Sequence, residues 1–150
     1  REASLPWEII GLTLTKGGKR AKLLAVYRPP SGSISRASLE VSDDLIMAAY
    51  EEFVGRNPGV PVVWVGDFNL DGVYFEQGEA RLRVTSGRPS SIMEAFATER
   101  VLEHAVTRRT HRGNYLDLVM HSEPHGVHTV EYSDSVFSAH SLVHFTIVPE

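Results

Sequence analysis

The chain has 150 residues, one domain's worth, and its 42% hydrophobic and 23% charged content builds a core and excludes a disordered polyelectrolyte. A formal net charge of −4 argues against an indiscriminate polyanion binder and leaves room for a local basic patch. The absence of cysteine excludes disulfides and thiolate metal sites, no apolar stretch reaches membrane-spanning length, and the N-terminal residues lack the basic-then-apolar pattern of a secretion signal.

In chain order, Trp7 to Thr15 and Lys22 to Tyr27 read as strands joined by Lys16-Gly17-Gly18-Lys19. Both glycines tolerate the positive φ of a hairpin turn. Arg28-Pro29-Pro30 ends the second run, because proline denies the ladder its N–H, and Ser31 to Ser35 is loop. From about Ser35 to Arg56, Leu39, Leu45, Ile46, Ala49, Tyr50, Phe53 and Val54 recur at helical spacing among acidic residues, which predicts a surface helix with one face on the core. Asn57-Pro58-Gly59 stops it.

Val60 to Val65 is short, continuous and β-branched, the pattern of a strand buried on both faces. Leu70 to Pro89 is glycine-rich, charged and aperiodic and reads as a long loop. Ser91-Ile92-Met93-Glu94 reads as a capping box opening a helix to about Arg100. Tyr115 to Met120, Val127 to Tyr132 and Leu142 to Val148 complete the elements as strands. Strands separated by helices predict an α/β fold, a mixed sheet with helices on one side, in one domain over residues 1–150.

Three constellations carry chemistry. The strand ending at Val65 runs into Gly66-Asp67-Phe68-Asn69, which places a carboxylate and a carboxamide two residues apart. Such a pair suits the orientation of water, phosphate or a divalent ion, and equally an Asx turn closing the strand. Asp117, between Leu116 and Leu118, pays desolvation unless something pairs with it. His140 is the natural candidate, a carboxylate–imidazole pair suited to proton transfer; a structural aspartate bonded to loop backbone is the alternative. Arg108-Arg109-Thr110-His111-Arg112 is a basic block, with Arg81, Arg83 and Arg88 as extensions; it offers phosphate contacts or is a solvated turn. His121, His125 and His128 with Glu123 do not make a zinc site, because Pro124 and Gly126 prevent one face from aligning the rings.

Four landmarks in order (Val26-Tyr27-Arg28-Pro29-Pro30, Gly66-Asp67-Phe68-Asn69, Thr110 to Asp117 continuing into Leu118-Val119, and Ser138-Ala139-His140) resemble the endonuclease/exonuclease/phosphatase superfamily. They are most like the endonuclease domains of LINE-type (non-LTR) retrotransposons. The resemblance covers nearly the whole chain but the second part of the family domain. It implies half of a four-layer α/β/β/α sandwich and hydrolysis of phosphodiester or phosphomonoester bonds with Mg²⁺. It implies that Asp67 activates the attacking water, Asn69 orients it and binds phosphate, and Asp117 pairs with His140, which steadies the attacked phosphoryl group. Tyr27 would touch the phosphate, and Thr110 with Arg108, Arg109, Arg112, Arg81 and Arg83 would lie along a nucleic-acid strand.

Two departures follow from the same resemblance. The family's opening segment, with its metal-binding Glu, has no counterpart before Arg1, and Ala139 stands where the family's closing motif carries a metal-binding carboxylate. No protein ligands for a metal are then expected in this chain, and no cofactor, unless a completed site takes Mg²⁺. Without the opening sheet one apolar sheet face is expected to lie open, worth many kcal/mol if covered, so a homodimer or a partner chain is expected on it. The expected function is a degenerate assembly or interaction module. The alternatives are a phosphodiester hydrolase active when completed by a missing segment or partner, and a module binding DNA or RNA without chemistry. No membrane is expected as a partner, and an intracellular setting, nuclear or cytoplasmic, is favoured.

Overall fold

The computed structural model describes residues 7–85, 91–105, 109–111, 114–122, 127–135 and 138–147. Strands β1 (Glu8–Lys16) and β2 (Lys19–Tyr27) form an antiparallel hairpin in register from Glu8↔Tyr27 to Lys16↔Lys19. Gly17 and Gly18 close it at φ 58° and 78°, values only glycine adopts without strain. Helix α1 (Arg36–Arg56) follows, its N-cap Ser35 accepting from the Ser38 N–H at 3.2 Å. At its other end Asn57 donates its side-chain amide to Phe53 O at 2.7 Å.

The helix returns the chain to β3 (Val62–Asp67), which pairs parallel with β2, as a crossover connection permits. Gly66 is required here. Its φ is 140°, and a Cβ at this position would stand 1.9 Å from the Val26 carbonyl oxygen. The stretch expected to be a long loop contains a small ribbon, β4 (Val73–Tyr74) against β5 (Arg83–Val84). Helix α2 (Ser91–Glu99) packs next to it. The expected capping box is not formed: Ser91 is already helical, and the Glu94 carboxylate accepts instead from the Val84 N–H at 2.7 Å, tying the ribbon to the helix.

A short β6 (Glu103–His104) and then β7 (Asp117–His121) complete a five-stranded mixed sheet of order β1-β2-β3-β7-β6. Asp117 opens β7, so its carboxyl stands at the strand's end rather than inside it. On one face Leu24, Val26, Val62, Trp64, Leu118 and Met120 meet Ile46 and Tyr50 of α1 and Met93 and Phe96 of α2. Trp64 is fully buried, stacked on Tyr50 at 4.7 Å and edge-on to Phe68 and Phe96. Both helices therefore cover the same side of the sheet, as the sequence pattern predicts.

The opposite face differs from expectation. Strands β8 (Val127–Ser133) and β9 (Leu142–Ile147) pair with each other, not with the large sheet. They lie over that face as a second layer, Val127, Tyr132, Val143, Phe145 and Ile147 packing around Val63 and Val119. The chain thus covers the centre of the face by itself. The cover stops short of β1, where Ile10, Leu12 and Leu14 remain 56%, 45% and 44% exposed. An open apolar groove of about 500 Å³ between Leu14, Leu23, Phe145 and Ile147 marks its limit. Among the described residues no helix is long and apolar enough to cross a membrane.

Candidate active site

Strand register builds the site. Tyr27 stands beside Asp67 across β2 and β3, and Asp67 directly opposite Asp117 across β3 and β7. Alternation along the strands puts Asp67 and Asp117 on the face of Val63 and Val119, beneath the β8–β9 layer. Facing carboxylates repel, so a third group is needed between them. His140 supplies it: Nδ1 lies 2.7 Å from Asp117 Oδ2 and Nε2 lies 3.8 Å from Asp67 Oδ2. The two carboxylates are about a quarter exposed and His140 is 31% exposed.

The loop before β7 delivers that imidazole. Thr110 is buried, and its hydroxyl accepts from the Asp117 N–H at 3.2 Å. Thr110 N–H donates to Asn114 O at 2.9 Å, and Ser141 N–H donates to Thr110 O at 2.7 Å, which draws His140 alongside. His111 is bridged to His140 and its ring centroid lies 4.4 Å away. Burial, then the Asp117 charge, holds the Asp67 carboxyl above the usual aspartate range, with His140, the Asn69 N–H and His111 opposing. A cavity of about 230 Å³ opens there, with Asp67 and Asp117 on one side and Val143 and Phe145 on the other.

The structure brings Asp67, Asp117 and His140 together, with Tyr27 at 43% exposure on the adjoining strand. Asn69 is near but turned inward: it is 8% exposed, and its amide donates to the Arg28 carbonyl at 2.7 Å. Thr110 reaches the site from inside, through Asp117. Arg109 is exposed, its guanidinium 5.9 Å from the Tyr115 ring, while Arg108, Arg112 and Arg88 lie outside the described residues. Arg83 pairs with Glu79 at 3.2 Å. Arg81 bridges Glu103, which is in register with His121, roughly 13 Å along β7 from Asp117. Neither is carried to the carboxylates by strand pairing. Of the residues proposed against zinc binding, His125 and Glu123 also fall outside the described residues, and His121 is buried in β7.

The donor set leaves a cation such as Mg²⁺ one uncommitted oxygen on each carboxylate. Asp67, Asp117 and His140 each offer one atom, all within 4.8 Å of one another, yet Asp117 Oδ2 is committed to His140 and Asp67 Oδ1 accepts the Asn69 N–H. The third donor is an imidazole, position 139 contributes a methyl, and Mg²⁺ requires oxygen ligands.

No family model matches the chain, and no curated protein matches it. Solved structures do. The human Nocturnin catalytic domain with bound sulfate aligns with TM-score 0.52 and 14% identity over 95% of this chain and 61% of that one. A mannosyl-6-phosphatase of Bacteroides thetaiotaomicron aligns with TM-score 0.51 and 15% identity over 88% of this chain and 52% of that one. The fold is the one these two structures share. The chain spans between half and two thirds of the length of these two examples. In the present version of that fold, two residues escape a sequence-only reading. His111 sits inside the recognised basic block without a signal for its contact with His140. Arg28 sits inside the Tyr27-Arg28-Pro29-Pro30 landmark, where a cation directly after an apolar strand was the available hint.

Proposed function

We propose that Asp67, Asp117 and His140 form a phosphoester-hydrolysing centre. The carrying observation is the 2.7 Å bond from Asp117 to His140 Nδ1 with Asp67 facing the ring's other nitrogen at 3.8 Å. Asp117 accepts from Nδ1–H and fixes the ring's orientation. The imidazolium then offers Nε2–H to a phosphoryl oxygen as negative charge accumulates there. Asp67, with its raised proton affinity, accepts a proton from the water that attacks phosphorus, and the leaving oxygen departs with a proton from solvent. A neighbour that is a phosphatase and another that holds a sulfate support a site shaped for tetrahedral oxyanions. The motif resemblance to LINE-type endonucleases favours a phosphodiester in DNA or RNA as the substrate, with Arg109 and the flanking Arg108 and Arg112 along the strand and the reaction inside the cell.

The test is cleavage of supercoiled plasmid, a single-stranded RNA and nitrophenyl phosphate esters, with and without Mg²⁺. Native chain, His140→Ala, Asp117→Asn and Ala139→Asp are compared. His140→Ala and Asp117→Asn are expected to lose about 10²-fold or more, and Ala139→Asp with Mg²⁺ to gain rate by adding an oxygen ligand. Inertness of every form, Ala139→Asp included, would remove this reading.

A second reading is favoured by the exposed row Ile10, Leu12 and Leu14. The domain would then be an assembly module in which catalysis has decayed, a second copy or a partner chain covering that row. Sedimentation separates the two, since a concentration-independent monomer excludes self-assembly.

A further inference from the structure

We infer that Arg28 is the positioning residue of this centre, setting the turn that aims the Asp67 carboxylate; the inference rests on the phosphoester reading of that site. Arg28 has no exposed surface, so it meets neither substrate nor water. Its Nε and Nη2 bind both carboxylate oxygens of Asp43 on α1, at 2.5 and 3.1 Å. Asp43 is itself 1% exposed.

A buried ion pair is poor value for stability alone, because well-packed apolar side chains of similar volume do as well or better. What an apolar pair cannot do is donate. Arg28 Nη1 reaches the carbonyl oxygens of Phe68 and Asn69, at 3.3 and 3.0 Å. Those carbonyls belong to the two residues directly after Asp67.

The main chain closes the same loop. Arg28 N–H donates to Asp67 O at 2.9 Å, and Arg28 O accepts the Asn69 side-chain amide at 2.7 Å. Asn69 is thereby held at φ 42°, a left-handed conformation that a residue other than glycine adopts at a cost. In that conformation its N–H meets Asp67 Oδ1 at 3.2 Å. One Asp67 oxygen is therefore pinned, and the other is left facing His140. The contacts run continuously from α1 through Asp43 and Arg28 to the turn and the reacting carboxylate.

The guanidinium fork is essential to this arrangement. A lysine ammonium can pair with Asp43 but cannot hold both of its oxygens and two turn carbonyls from one planar group. Arg28→Lys thus separates pairing from aiming. The double substitution Arg28→Met with Asp43→Leu does so in another way, removing both charges so that neither is left buried alone.

The experiment measures urea unfolding, the ¹³C carboxyl titration of Asp67, and kcat and KM against pH on whichever ester the native chain cleaves. Both variants are expected to fold. In both, the Asp67 midpoint moves upward as the Asn69 N–H departs, the acidic limb of the rate profile follows it, and kcat falls about tenfold with KM changed less than about twofold. Folded variants with an unmoved Asp67 midpoint overturn the inference. So does failure of both to fold, which would make the pair a determinant of folding. If the native chain and Ala139→Asp both cleave nothing, the phosphoester reading fails on that ground, and the titration still decides whether Arg28 aims Asp67.

Discussion

The two faces of the central sheet solve different problems with the same strands. On the helix side, Val62, Trp64, Leu118 and Met120 are sealed beneath α1 and α2. On the other side the same strands present Val63 and Val119 to the β8–β9 layer, and at their ends Asp67 and Asp117. The sealed face can supply stability without chemistry. The half-covered face carries two opposed carboxylates, an arrangement that disfavours folding and that the intervening His140, the Asn69 N–H and His111 relieve in part. Stability and the proposed reactivity are thus divided across a thickness of one strand.

Substitutions on the sealed face break this division most severely. Trp64→Ala removes the ring that stacks on Tyr50 and meets Phe68 and Phe96 edge-on, and is expected to cost about 3–5 kcal/mol in urea unfolding. Acid attacks the same face. His104, aligned with Met120 and edge-on to Phe75, has its pKa lowered from 6.5 to about 3 by burial and then by His121. The unfolded chain therefore binds a proton that the native chain refuses. The contribution is intact above the unfolded value and is lost as pH falls from about 6.5 towards 3. At roughly 1.4 kcal/mol per pH unit the loss reaches several kcal/mol, and His104→Leu is expected to flatten that part of the stability profile.

The reactive face should respond less, and in the opposite direction. Because the folded pKa of Asp67 is raised, its stabilising contribution is full below the unfolded value and disappears as pH rises through the folded one. Asp67→Asn is therefore expected to unfold at a slightly higher urea concentration than the native chain near neutral pH, while losing phosphoester cleavage. The smallest effect is expected at the uncovered row. Leu12→Lys, at a position already 45% exposed, should stay within about 0.5 kcal/mol of native stability. If a second copy docks there, the same substitution abolishes association in sedimentation.

Much of the sealed face is legible in the sequence. The helical spacing from Leu39 to Val54 anticipates α1, and the unbroken apolar run ending at Val65 anticipates a strand buried on both sides, with Trp64 inward and Val63 outward. The ribbon β4–β5 is not legible, because two-residue strands are too short to show alternation. Glu94 matches a capping box by spacing, yet its partner Val84 comes from another element, which local pattern cannot reveal. The β8–β9 layer over the opposite face is illegible for a similar reason. The alternation in β8 and β9 signals strands but not which surface they cover. At the site, motif order singles out Asp67, Asp117 and His140 as candidates, and the structure places them in contact. The inward turn of Asn69 depends on the Arg28 carbonyl, and the approach of His111 on the bond from Ser141 to Thr110 and the bridge from His111 to His140; no spacing rule encodes either.

The sheet is also lopsided at its margins. Strand β1 ends it with nine residues, whereas β6 ends the other side with two. Among the described residues nothing pairs with the outer rim of β1, so its spare amides and carbonyls form a ready ledge for an incoming polypeptide. A strand added to that ledge would continue the sheet in its own plane and leave its two faces unchanged.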